Sequence, residues 1–154
     1  MFSTVVGAAT LVLVALVMGA SFSHALEMPP KMAASGPFWV SCQQNLYRLY
    51  RFVVGPAEAT AALVVTTFVY FDFVWAGFCA TLIAAISLIL AFLVWIVVTE
   101  RANREIDGWR PEKPPNNWMR WRAQWEYSHL ARFGLHLIAL ASLVVGLLMQ
   151  IRQG

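Results

Sequence analysis

Charge is scarce in this chain. Lys, Arg, Asp and Glu make up 12% of its 154 residues and apolar residues 60%, against about 25% and roughly 45–50% in an ordinary soluble domain. So little charge cannot clothe a water-facing surface, and a soluble globular protein is excluded. No Lys or Arg precedes Lys31, so the basic n-region of a secretory signal is missing, although Ser23-His24-Ala25 loosely imitates a cleavage site. The first apolar run is therefore read as a retained membrane span. No internal repeat, nucleotide-binding loop, Ser-His-Asp series or CxxC pair is visible, which leaves any chemistry to carboxylates and histidines.

What is present is apolar length. Four runs, at about 2–27, 52–71, 75–100 and 126–151, each come near the ~20 residues that cross a bilayer as a helix. The expected fold is all-α: a single transmembrane domain over 1–154, built as a four-helix bundle. Asp72, alone among aromatics, marks the short turn of a hairpin between the second and third spans. Basic residues favour cytoplasmic loops. Lys31, Arg48 and Arg51 lie in the first connection, and Arg101, Arg104, Arg110, Lys113, Arg120 and Arg122 in the third, with Arg132 at its edge. Both termini are expected outside, in a bacterial inner membrane. The net charge of +3 is then accounted for by topology and by attraction to the headgroups of membrane lipids, and no nucleic-acid partner is needed. Cys42 falls in the cytoplasmic connection and Cys79 near the opposite face, beyond disulfide reach.

Punctuation refines the layout. Pro29-Pro30 is expected to end the first helix near Glu27. From Pro37 to Val53, Trp39, Cys42, Leu46, Tyr50 and Val53 recur at helical spacing, opposite Gln43, Gln44, Arg48 and Arg51. That pattern reads as a short interfacial amphipathic helix after the first span. Pro56 suits a first helical turn, where the dipole favours Glu58. The third connection carries Trp109, Trp118, Trp121 and Trp125, the usual anchors at headgroup level.

A glutamate falls near the same end of each span: Glu27, Glu58, Glu100 and Glu126, with His24 and His129 nearby. Ionisable groups at membrane depth are costly and tend to face a bundle interior. Glu126 and His129 stand three apart and share a helix face; His24 and Glu27 do the same in reversed order. Because the first and fourth spans run in opposite directions, His24 comes opposite His129 and Glu27 opposite Glu126, provided those helices touch. With Glu58 and Glu100, the six residues approach the bundle pattern that holds two metal ions, and the donor set suits iron, manganese, copper or zinc. A metal-free cluster stands beside that reading, as do simple pairs four apart: Glu27 with Lys31, Glu100 with Arg104, and Arg122 with Glu126. His136, the deepest histidine, could be a haem ligand, a proton relay or a packed core residue; packing is preferred, because no second ligand is evident at its depth.

Three segments, Gly19-Ala20-Ser21-Phe22-Ser23-His24-Ala25-Leu26-Glu27-Met28-Pro29, Thr99-Glu100-Arg101-Ala102-Asn103 and Trp121-Arg122-x-x-Trp125-Glu126-x-x-His129-x-x-Arg132, together resemble the anthrone oxygenase-like family of small four-helix membrane proteins. The resemblance implies oxygenation of a lipophilic polycyclic phenol to a quinone without an obvious cofactor. On that reading His24 and His129 are bases or metal ligands, Glu27 and Glu126 ligands or proton acceptors, and Arg122 or Arg132 stabilises a phenolate. Trp125, Tyr127 and Phe133 would line the pocket for a lipophilic aromatic substrate. The alternatives are an accessory subunit of a larger membrane complex and, less favoured because the acids crowd one face, a transporter or proton pathway.

Overall fold

The computed structural model describes residues 2–71 and 75–152; the expected turn at Asp72 lies outside the described residues. Every element among them is helical, and they form four rods. The first is α1 (Phe2–Ala33). The second is α2 (Gly36–Cys42), carried by a π-helical turn (Gln43–Tyr47) into α3 (Arg48–Phe71). The third is α4 (Trp75–Val94), carried by another π-helical turn (Trp95–Thr99) into α5 (Glu100–Asp107). The fourth is α6 (Trp118–Ile151). Each rod contains a stretch long and apolar enough to cross a membrane, and the chain is a multi-pass four-helix membrane bundle.

The rods form a ring, with α1 against α3 and α6, and α4 against α3 and α6. The first and fourth rods are therefore neighbours. The core of one half is built of Val14, Ala61, Ala62, Val65, Ala84, Ala85, Leu88, Ala139 and Leu143, and its many alanines let helix backbones approach closely, as membrane helices require. The other half, toward the charged loops, packs Trp39, Val40, Ala102, Ile106 and Trp125. Large apolar side chains such as Leu16, Leu49, Leu63 and Val97 point outward, a surface suited to lipid and unsuited to water.

Several expected boundaries move. On the loop side all four helices run past the expected spans, and α1 alone, at 32 residues, is about 48 Å long. Pro29 and Pro30 do not stop it at Glu27; it continues to Ala33. Arg122 explains part of this, donating to the carbonyls of Lys31 and Ala34 and so satisfying the helix end, while its guanidinium lies 4.5 Å from the Trp118 ring centroid. The segment read as an interfacial helix is instead continuous with the second span. Part of its polar side is turned toward the third rod: Gln44 donates to the carbonyls of Ile106 and Trp109, and Arg51 pairs with Glu100 and Asp107, while Arg48 stays exposed. Of the apolar stripe, Leu46, Tyr50 and Val53 face outward, while Trp39 is buried in the loop-side core. Pro56 accordingly lies inside a helix, and Glu58 is far from any helix start.

The two π-helical turns have a positional role. Each adds a residue to its turn and re-aims the side chains around it, and between them they bring Tyr47, Trp95 and Thr99 to one cavity. Gly55 makes room for Trp95, since a Cβ there would come within 2.8 Å of its ring. Cys42 and Cys79 are unbridged.

Candidate functional site

Glu58, on α3, is fully buried. Arg132 and His136 stand one turn apart on α6 and so reach the same carboxylate. Arg132 Nη2 lies 2.5 Å from Glu58 Oε2, and His136 Nε2 donates to Oε1 at 2.8 Å. The other ring nitrogen of His136 lies 2.8 Å from Ser21 Oγ on α1. A carboxylate at this depth is held by two hydrogen-bonded partners, the arrangement that offsets much of its desolvation. His136 is thus not a lone packed histidine; its partners come from helices that are distant in sequence.

Toward the loops the imidazoles of His24 and His129 meet, with ring centroids 4.1 Å apart. The reversed His/Glu order of the two neighbouring rods thus does place the histidines opposite each other. Trp125 packs on both rings, at 5.1 Å from His24 and 4.1 Å from His129, and Tyr47 and Tyr50 close the His24 side at 4.9 Å and 5.4 Å. Outside them Lys31 Nζ lies 3.1 Å from Glu126 Oε2 and 3.6 Å from Glu27 Oε2, bridging the two glutamates. It also sits over the rings of Tyr47 and Trp125 at 4.9 Å and 4.8 Å, a cation–π geometry. Trp39 donates its indole N–H to Glu126 Oε1 at 3.0 Å, and the Tyr47 hydroxyl donates to Glu27.

The hydrogen-bond geometry assigns the tautomers of both histidines. Lys31 Nζ is 3.5 Å from His24 Nδ1, and Arg132 Nη1 is 3.4 Å from His129 Nδ1. Ammonium and guanidinium groups only donate, so each Nδ1 accepts and each Nε2 carries the proton. A metal would need the Nε2 lone pair, which would drive the proton onto Nδ1 against a cationic donor. The remaining expected ligands are also engaged: Glu58 by Arg132 and His136, and Glu100 by Arg51, Arg104 and Asn103. Among the described residues no three His, Cys, Asp or Glu side chains converge on a metal position. The six-residue metal shell of His24, Glu27, Glu58, Glu100, Glu126 and His129 does not assemble, and its donors do not fit iron, manganese, copper or zinc.

A cavity of about 30 Å³ lies among these groups, lined by residues that include Ser21, His24, Tyr47, Tyr50, Trp95, His129 and Arg132. That volume holds a water or two. Arg122, Tyr127 and Phe133 take no part in its wall. Arg122 is occupied at the end of α1 and does not pair with Glu126, Tyr127 is exposed, and Phe133 packs on Phe22. The expected pairs of Glu27 with Lys31 and Glu100 with Arg104 do form. Lys31 as a bridge, together with Trp39, Tyr47 and Ser21, was not legible as part of a site. The signal for Trp39 was its place on the apolar stripe before the second span, read there as membrane contact.

No family model, curated protein or solved structure matches this chain, so the meaning of the site rests on its own geometry.

Proposed function

We propose that this chain is a membrane-embedded oxidoreductase of oxygenase type, acting on a lipophilic aromatic of the phenol/quinone kind near the charged-loop face. One observation carries the reading: inside a membrane bundle, two histidines, an arginine and two tyrosines line a single cavity. Dioxygen is the oxidant. A ring methylene loses two C–H bonds, gains C=O, and the second oxygen atom leaves as water. His24, His129 and Arg132 stabilise charge developing on the substrate oxygen. The first proton leaves through the Tyr47 hydroxyl to Glu27, whose side chain is 41% exposed. A fused-ring substrate enters by displacing Tyr50, itself 41% exposed. The basic loop faces the cytoplasm of a bacterial inner membrane, with both termini outside. A Glu112→Cys variant labelled by an impermeant maleimide only from the outer face would overturn that orientation.

The test is oxygen uptake by detergent-purified protein supplied with anthrone, a ring ketone that carries such a methylene. Stoichiometric quinone and oxygen consumption, lost in His24→Leu and Tyr47→Phe variants that remain folded, supports the reading. Uptake no faster than in protein-free detergent counts against it.

The small cavity favours a second reading, an accessory subunit of a larger membrane complex with the polar cluster fixing helix packing. In that case His24→Ala and Glu126→Ala abolish co-purification of a partner present at fixed stoichiometry.

A further inference from the structure

We infer that His24 and His129 together form a two-donor clamp for the carbonyl oxygen of a neutral, ring-borne ketone, and that the site selects against anions. The inference deepens the oxidoreductase reading and rests on it for the ligand's lipophilic ring.

Three observations carry it. The first is an imbalance of hydrogen-bonding groups at the cavity. With each Nδ1 accepting from a cation, His24 and His129 both present Nε2–H, and neither group has a partner among the described residues. Polar groups inside a protein are almost always paired, so two ring N–H groups without a protein acceptor, on residues that line one cavity, call for an acceptor that the protein does not supply. A ligand oxygen with two lone pairs answers that need; a ligand hydroxyl that had to donate would not.

The second observation is charge. The buried cations Lys31 and Arg132 are each already paired with a buried carboxylate, Glu126 and Glu58 respectively. Glu27 adds a further negative charge at the rim. An incoming anion would therefore meet no unpaired cation and would leave the cluster with excess negative charge at low dielectric, which is costly. A carbonyl brings the acceptor without the charge.

The third is shape. The two imidazoles are tilted by 36° at 4.1 Å, with Trp125 on both. The rings of Tyr47 and Tyr50 complete an aromatic wall suited to a flat apolar body.

The experiment uses the full chain in nanodiscs and three probes of similar size: 9,10-anthraquinone, anthracene and anthracene-2-carboxylate. Partition is measured against empty nanodiscs, and the anthraquinone carbonyl stretch is followed by infrared difference spectroscopy with ¹³C=O label. Anthraquinone is expected to bind about fivefold to tenfold more tightly than anthracene, the worth of one or two net hydrogen bonds, and the carboxylate most weakly. The carbonyl stretch should move to lower frequency on binding. His24→Leu and His129→Leu should each lose much of that shift, and His129→Gln, which keeps an amide N–H, should retain it at equal thermal stability. Equal binding of anthraquinone and anthracene with no frequency shift overturns the clamp, as does preferential binding of the carboxylate. Oxygen uptake with anthrone reads the underlying function separately: turnover with no carbonyl shift discards the clamp alone, and a shifted carbonyl without turnover supports the clamp while discarding the oxygenase.

Discussion

Arg132 and Glu58 face each other across the bundle, from α6 to α3, at 2.5 Å, with side chains 2% and 0% exposed. They are 74 positions apart in sequence, and neither has a counter-ion within its own helix. The pair ties a mid-helix glutamate and an arginine beyond the Trp-rich segment into one node with His136 and Ser21.

Removing one partner leaves the other charged and buried. Glu58→Leu is expected to destabilise the protein by about 3–5 kcal/mol, and Arg132→Leu similarly. The double variant should lose less than either single change, because no charge is left unpaired. Unfolding midpoints in a common detergent check this; a double variant no better than the single ones would show that the pair does not act as a unit.

Lys31→Met keeps the length of the stem but withdraws the ammonium from Glu126, Glu27 and the rings of Tyr47 and Trp125. Glu126 then lacks its cation while buried, and a loss of a few kcal/mol follows. The companion Lys31→Met/Glu126→Gln should recover most of it. Trp39 could still donate to the amide oxygen of residue 126, so the indole contact survives and only the charge balance is tested.

Gly55→Val should be the most disruptive small change on α3. A Cβ at that position meets the Trp95 ring at 2.8 and 2.9 Å, and Trp95 belongs to the cavity wall. Overpacking of this kind costs about 1–3 kcal/mol. Gly19→Val, where nothing lies within 4 Å of the added carbon, serves as the control and should be nearly neutral. The readouts are thermal stability and tryptophan emission.

Metal analysis by mass spectrometry on the purified protein should return no stoichiometric iron, manganese, copper or zinc, because the tautomers of His24 and His129 turn proton-bearing nitrogens toward any such ion. Bound metal that disappears in His24→Ala/His129→Ala would overturn the tautomer assignment and restore the carboxylate–imidazole shell.

Much of this was open to reading from composition and order alone. Apolar length set the four helices, and the opposed directions of the first and fourth put His24 against His129. What local pattern could not supply was partnership across the bundle. Glu58 beside Pro56 matched a helix start as well as it matched anything, since nothing near it in sequence announces Arg132. Gln44 and Arg51 had the right periodicity, but their side was read as facing water, whereas their partners Ile106, Trp109, Glu100 and Asp107 lie on the neighbouring rod. Pro29-Pro30 followed a rule of isolated helices; Arg122, some ninety residues away, supplies the donors that let α1 continue.

The polar network ends at Ser21 and His136. Beyond them lie Val14, Val65, Leu88 and Leu143, and the buried hydroxyls of that half, Thr10 and Thr81, donate to the carbonyls of Val6 and Gly77 in their own helices. A polar molecule entering the bundle from the charged-loop end therefore meets paired charges first and an alanine-rich apolar core after them.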